Sequence, residues 1–313
     1  MSPLRLTLHE SQPLTPLDLH YEAFLLDREA ARCTPKSLTH YTYTLGSFVG
    51  WLQQHDIYRP SDTTAHHIRA YLVDLQRRGL KGTTQHAHAR GIKTWLRWLV
   101  DEGELGDSPM LRVSMPRLEQ RIQPPFSPED VKALLAACHT KTPKDLRDRA
   151  MTLALLDSRL RASEFVGLRV NSVDMRSGLV TVLGKGGKQR TVRFGTKTRQ
   201  AIIKYLARRQ AVTQASPLWV AYQPGGGERG QLTPRGLQMV FRRLGREAGV
   251  TPCHPHRFRR TFALWCLRDR MDLHSLRLLM GHSSLAVLQR CLALAGEDIE
   301  RAHRLHSPVD NLL

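Results

Sequence analysis

A hydroxyl residue followed by proline stands ahead of a periodic apolar run at Thr15-Pro16, Thr34-Pro35, Ser127-Pro128 and Thr233-Pro234. Each pair reads as the start of a helix. The hydroxyl accepts a hydrogen bond from an amide that has no partner inside the helix. Proline fits the first helical position, where its missing N–H costs nothing. Helical periodicity follows the first pair through Leu17, Tyr21, Phe24 and Leu25, and the second through Leu38, Tyr41, Leu45, Phe48, Trp51 and Leu52. A third helix carries Ile68, Tyr71, Leu72 and Leu75 and ends near Gly79. A fourth opens at Thr83-Thr84, carries Ile92, Trp95, Leu96, Trp98 and Leu99, and stops at Gly103. Four amphipathic helices with short joints predict a small bundle.

The stretch from Asp107-Ser108-Pro109 to Pro124-Pro125 is basic, broken by prolines and without periodicity, so it reads as a linker. The division expected is a helical domain over residues 1–112, a linker over 113–126 and a second domain over 127–313. The second domain opens at Ser127-Pro128 with Glu129 and Asp130 in the first turn, where carboxylates suit the positive end of the helix dipole. Two β-type runs, 179–183 and 189–194, flank a glycine-rich turn. Helices are expected near 196–211, 234–248, 256–269, 272–280, 284–293 and 297–305. The fold class expected is therefore mainly α with a small antiparallel sheet.

The formal net charge is +19 over 313 residues, with basic residues spread along the whole chain. Such an excess argues for a polyanionic partner, because each phosphate neutralised releases counterions. Aromatic residues are few, so stacking on single-stranded bases is not the expected mode. Nucleic acid is the partner that the charge leads one to expect. Five widely spaced cysteines without a CxxC pair read as reduced thiols of a cytoplasmic protein. The N-terminus lacks an apolar signal core, no run reaches membrane-spanning length, and no membrane partner is expected.

The chemistry-bearing residues are scattered. Arg161, beside Glu164, has two readings: an ion pair with that acid, or a bidentate clamp on a phosphate. Arg259 tips the balance towards the clamp. His256 and Arg259 lie one turn apart, so both project from one helix face and suit the non-bridging oxygens of one phosphodiester; an exposed basic face is the alternative. Lys185 sits in the turn Gly184-Lys185-Gly186-Gly187-Lys188, where a lysine is either solvated or carried into a DNA groove. His282, after Gly281, reads as a cap or core histidine or as a phosphate donor. Cys253, His254 and His256 lack a second ligand pair, so no metal is expected. Arg159, Lys188, Arg190, Arg257, Arg260 and Lys93 are further candidates for DNA contact.

Taken in order, Arg161, Lys185, His256, Arg259 and His282 resemble the active site of the tyrosine recombinases, the phage-integrase family, of the type that resolves chromosome dimers. The resemblance covers nearly the whole chain. It implies an N-terminal four-helix domain that clasps DNA, a C-terminal catalytic domain and no cofactor. It also implies four protomers on two duplexes, as a homo- or hetero-tetramer, acting in the cytoplasm at the nucleoid. Lys185 would protonate the departing 5′-hydroxyl oxygen. The family's nucleophilic tyrosine follows the last histidine by nine positions; here that position is Cys291. A thiolate is a nucleophile, but cysteine reaches several ångström less far than tyrosine. The expectation is impaired cleavage, or a cleavage-deficient protein that accompanies an active recombinase paralogue. A second departure is Ser158-Arg159, where the family favours Thr-Gly. Arg260 stands where histidine is common.

Overall fold

A computed structural model of the chain describes residues 13–118, 123–183, 189–223, 225–269, 271–272 and 274–276. The chain divides into two compact units, Met1–Arg121 and Ile122–Leu313.

The first unit holds four helices, α1 (Pro16–Ala30), α2 (Pro35–Gln53), α3 (Ala65–Arg77) and α4 (Gly82–Asp101). Thr15 caps α1 in a reciprocal box: its hydroxyl accepts from the Asp18 amide, and Asp18 accepts from the Thr15 amide at 2.9 Å. Thr34 caps α2 and Thr64 caps α3 through their hydroxyls. The buried faces of the helices meet in one core built on Phe24, Leu45, Phe48, Leu52, Ile68, Tyr71, Trp95, Leu96 and Leu99. Gly91 allows α4 its close approach to α2, since a Cβ there would stand 2.6 Å from Thr44 Oγ1. Inside this core the Tyr71 hydroxyl and His88 Nδ1 are 2.8 Å apart. A 3-10 turn, Pro109–Arg112, follows α4 and buries Met110 against the same core. Arg69 donates to the Arg112 carbonyl at 2.6 Å. The start of the proline-punctuated stretch thus packs on the bundle.

The second unit runs α5 (Pro128–Ala137), α6 (Pro143–Asp157), α7 (Ala162–Val166), β1 (Leu179–Leu183), β2 (Gln189–Arg193), α8 (Thr196–Leu206), β3 (Val220–Tyr222), β4 (Glu228–Gln231), α9 (Pro234–Glu247) and α10 (Pro255–Arg268). β1 and β2 pair antiparallel from Leu179 opposite Arg193 to Leu183 opposite Gln189. β3 and β4 form a second antiparallel pair, with an irregularity between Ala221 and Tyr222. The sequence analysis anticipated one small sheet. The second escaped because β4, Glu-Arg-Gly-Gln, is exposed throughout and shows no alternation. α8 stops at Leu206 rather than 211, because Arg209 turns in to donate to the Pro217 carbonyl at 2.7 Å and to pair with Glu228 at 2.9 Å.

The core of this unit contains two aromatic groups. Phe165, Trp219 and Tyr205 stack with interplanar angles of 13°. Phe258 packs between Phe126 and Phe241 at centroid distances of 4.7 and 4.6 Å. A buried arginine, Arg147, bonds Asp148 and donates to the Val220 carbonyl at 2.7 Å, which ties α6 to β3. Among the expected C-terminal helices, everything beyond residue 276 lies outside the described residues. No helix among the described residues is long and apolar enough to cross a membrane.

Candidate active site

The site is organised by the elbow between α6 and α7. α6 ends at Asp157, and Ser158 closes it by donating its hydroxyl to the Ala154 carbonyl at 2.6 Å. Arg161 then serves as the residue preceding α7. Its amide donates to Glu164 Oε2 at 2.8 Å and its guanidinium to Glu164 Oε1 at 3.0 Å. From β2, Arg190 reaches the same carboxylate with both terminal nitrogens, at 3.0 and 2.9 Å. One carboxylate therefore holds two guanidiniums. Glu164 is 5% exposed at its side chain, Arg190 19% and Arg161 43%, so the outward-facing member is Arg161.

α10 supplies the other half. Arg259 donates through Nη1 to the main-chain carbonyl of Arg159. Arg159 itself is 4% exposed. Burial first, and the neighbouring guanidiniums second, pull Arg159 and Arg259 down to about 10. The neighbours acting on Arg159 are Arg190, Arg259 and Arg161, and those acting on Arg259 are Arg161 and Arg190; Glu164 is the carboxylate that opposes them. Burial alone would push Glu164 up. The Arg161 amide and guanidinium, with Arg190, outweigh it and hold the carboxyl below its ordinary range. Four guanidiniums thus converge around one carboxylate whose two oxygens are already engaged. Guanidiniums fixed in this way are suited to a phosphate, because the donors need little rearrangement to meet it.

The expected residues fall into three groups. The structure brings Arg159, Arg161, Arg190 and Arg259 together, and His256 lies exposed one turn before Arg259 on α10. Arg257 and Arg260 make other contacts, and Lys93 belongs to the first unit. Arg257, expected on DNA, is buried instead: it donates to the carbonyls of Pro124, Pro125 and Pro252 at 3.0, 3.2 and 3.0 Å and to Asp130 at 3.1 Å. Its guanidinium also lies 4.2 Å over the Phe126 ring. Its work is to pin the segment ahead of α5, which the sequence analysis had counted as linker. Arg260 donates to the Gln123 carbonyl at 2.6 Å, and Lys93 is exposed on α4 of the first unit. Lys185, Lys188, His282 and Cys291 lie outside the described residues.

Two neighbours of the site are also explained. His254 caps α10 and meets Gln123 at 2.6 Å, while burial pushes the Cys253 thiol up to about 12. No metal-binding group of histidine, cysteine and carboxylate occurs among the described residues. Glu164 is the residue whose importance the sequence analysis understated. The signal was the i, i+3 spacing from Arg161, but nothing in one sequence reveals that Arg190, 26 positions further on, shares the carboxylate.

A model described as the phage integrase family matches residues 125–296, and one described as the phage integrase N-terminal SAM-like domain matches residues 21–103. The chain belongs to the phage integrase family. It is 30% identical over 277 residues to tyrosine recombinase XerC of Haemophilus influenzae strain PittEE, covering 88% of this chain and 91% of that one. It is 30% identical over 292 residues to tyrosine recombinase XerD of Yersinia pestis, covering 92% and 95%. Among solved structures, the Tn1549 transposon integrase in complex with circular intermediate DNA shares the fold with a TM-score of 0.72 at 17% identity, over 93% of this chain and 99% of that one. A lambda integrase dimer bound to a COC′ core site shares it with a TM-score of 0.67 at 15% identity, over 85% and 94%. Both the arginine elbow and Cys291 fall inside the span matched to the integrase family.

Proposed function

We propose that this integrase-family chain is a site-specific recombination protein that binds duplex DNA and seats one scissile phosphodiester in the cluster of Arg159, Arg161, Arg190 and Arg259. The observation that carries this is the shared Glu164 carboxylate, which fixes Arg161 and Arg190 beside Arg259. During strand transfer a nucleophile attacks phosphorus, negative charge grows on the non-bridging oxygens, and the 5′-oxygen departs. Guanidiniums already oriented at those oxygens lower the barrier without reorganisation. His256, on the same helix as Arg259, is proposed as a further donor, as is His282, and Lys185 as the acid that gives the departing 5′-oxygen its proton. Lys93, Lys188 and Arg260 are proposed as contacts to the flanking backbone. The relatives' names, tyrosine recombinases XerC and XerD, and the DNA in the integrase complexes support the substrate. Four protomers on two duplexes, requiring no metal or nucleotide, is the assembly this reading implies.

Cys291 favours cleavage that is impaired or absent. Its sulfur reaches several ångström less far than a tyrosine oxygen, and a misplacement of about 1 Å can cost about a hundredfold in rate. The same residue favours a second role, in which the chain occupies recombination sites beside an active recombinase paralogue. A nicked suicide duplex separates these outcomes. The chain is expected to bind it without forming a covalent adduct, whereas Cys291→Tyr forms one. An adduct mapped by mass spectrometry to Cys291 in the unaltered chain, formed as fast as that of the tyrosine variant, would overturn the impairment. A tyrosine variant that binds but stays inactive would move suspicion to Arg159.

A further inference from the structure

Arg161 and Glu164 stand three positions apart at the start of α7, so a two-pronged pair between the guanidinium and the carboxylate is open to them. Such a pair would spend the donors that a phosphate needs. It does not form. Arg161 engages the Glu164 side chain through Nη1 alone, at 3.0 Å. The two-pronged pair belongs to Arg190, whose Nη1 and Nη2 meet Oε1 and Oε2 at 3.0 and 2.9 Å. Oε2 also accepts the Arg161 amide at 2.8 Å. Both oxygens of Glu164 are therefore shared, and neither is left for a second prong from Arg161.

Arg190 reaches this carboxylate because of where β2 places it. Side chains alternate along a strand, so Arg190 shares a face with Val192. Val192 belongs to the core of the second unit, and so does Val182, the residue opposite Arg190 on β1. A guanidinium on this inward face is led to α7 rather than to solvent. We infer that Arg190 is a positioning residue for the phosphate: by occupying both oxygens of Glu164 it keeps that carboxylate from closing on Arg161, which leaves Nη2 and Nε of Arg161 to the substrate. The inference rests on the proposed seat for the phosphate and deepens it by dividing the labour within the cluster. Arg161 touches the phosphate, and Arg190 acts through Glu164. Shape matters here as well as charge, because the planar fork of arginine spans two carboxylate oxygens and an ammonium is a single point.

The test uses the full chain and a duplex that it selects from a random-sequence pool, remade with a neutral methylphosphonate at one backbone position at a time. The unaltered chain is expected to lose about tenfold in affinity at the seated phosphate, which is the position where Arg161→Ala removes the loss. Arg190→Gln is expected to bring that ratio to within about twofold of unity, because Glu164 then closes on Arg161. Joining Glu164→Gln to Arg190→Gln takes away the carboxylate that closes, and the ratio should return to at least about fivefold. A phosphate contact made by Arg190 itself would not return, so a double variant that stays near unity overturns the inference. A purely structural role for Arg190 would weaken the parent and methylphosphonate duplexes alike, so an unchanged ratio in Arg190→Gln overturns it too. If Arg190→Gln does not fold, Arg190→Lys takes its place: it keeps the charge without the fork and should lose most of the ratio, and full retention overturns the inference. A duplex in which no phosphate stands out for the unaltered chain sinks the proposed seat, and the inference with it.

Discussion

Two arginines two positions apart in α10 illustrate how sequence position hides function. Arg257 and Arg259 are both basic, and both stood as candidates for DNA. The first is enclosed by three carbonyls, Asp130 and Phe126, and the second joins the guanidinium cluster. Arg257→Ala should destabilise the second unit by about 3 kcal/mol, because a buried guanidinium loses its bonds to three carbonyls and a carboxylate together with its packing on Phe126. Arg161→Ala, at a side chain 43% exposed, should leave the melting temperature nearly unchanged and weaken DNA binding. Thermal melts and binding titrations on both variants check the contrast. Glu164 makes a pH prediction. Its folded pKa is depressed, so its contribution to stability is fully present above the unfolded value of about 4.3 and is lost as pH falls through the folded value. Urea unfolding at descending pH should show that loss, and Glu164→Gln should abolish it while weakening the protein already at pH 7. The sequence exposed the arginines and even the i, i+3 glutamate. It concealed that β2 returns Arg190 to the same carboxylate, since that meeting depends on hairpin register and not on any local pattern.

At the level of elements, capping was the legible signal. Thr15, Thr34, Ser127 and Thr233 all cap helices as their neighbouring prolines implied, because a cap is settled within four residues. Thr142-Pro143 opens α6 in the same way. The β3–β4 pair and the early end of α8 were illegible for the opposite reason. Each is imposed by partners distant in sequence, such as the Pro217 carbonyl that captures Arg209. The bundle contributes its own element-scale prediction, through the contact between α3 and α4. His88 is 1% exposed and lies against the Tyr71 hydroxyl, and burial first, then His40 and Arg78, lower its pKa. A lowered folded pKa means that the unfolded chain binds the proton more readily. Stability of the first unit should therefore fall as pH drops below about 6.5. His40, also lowered by burial and by Arg90, shares in that slope. His88→Gln should flatten the pH dependence of the unit's thermal midpoint between pH 7 and 5 without removing it entirely.

For the molecule as a whole, the two units have separate cores, one centred on Trp95 and Phe48 and the other on Trp219 and Phe258. A fragment ending at Arg121 should fold alone, with helical circular dichroism and a cooperative melt, since its helices bury one another and the Pro109–Arg112 turn closes the base of the core. The full chain, with a net charge of +19, should bind DNA with an affinity that falls steeply with salt, and the fragment with a shallower slope because it neutralises fewer phosphates. A fragment that remains unfolded, or one whose slope equals that of the full chain, would contradict this division of labour.

The link between α10 and the elbow has a consequence for how this protein can change. Arg259 grips the peptide oxygen of residue 159, an atom that every amino acid offers. The grip is indifferent to what hangs from that position. Substitution there can change the charge and bulk beside the elbow while the latch to α10 stays fastened, so Arg159→Gly is expected to keep α10 docked on the elbow, which the thermal midpoint of the second unit would report.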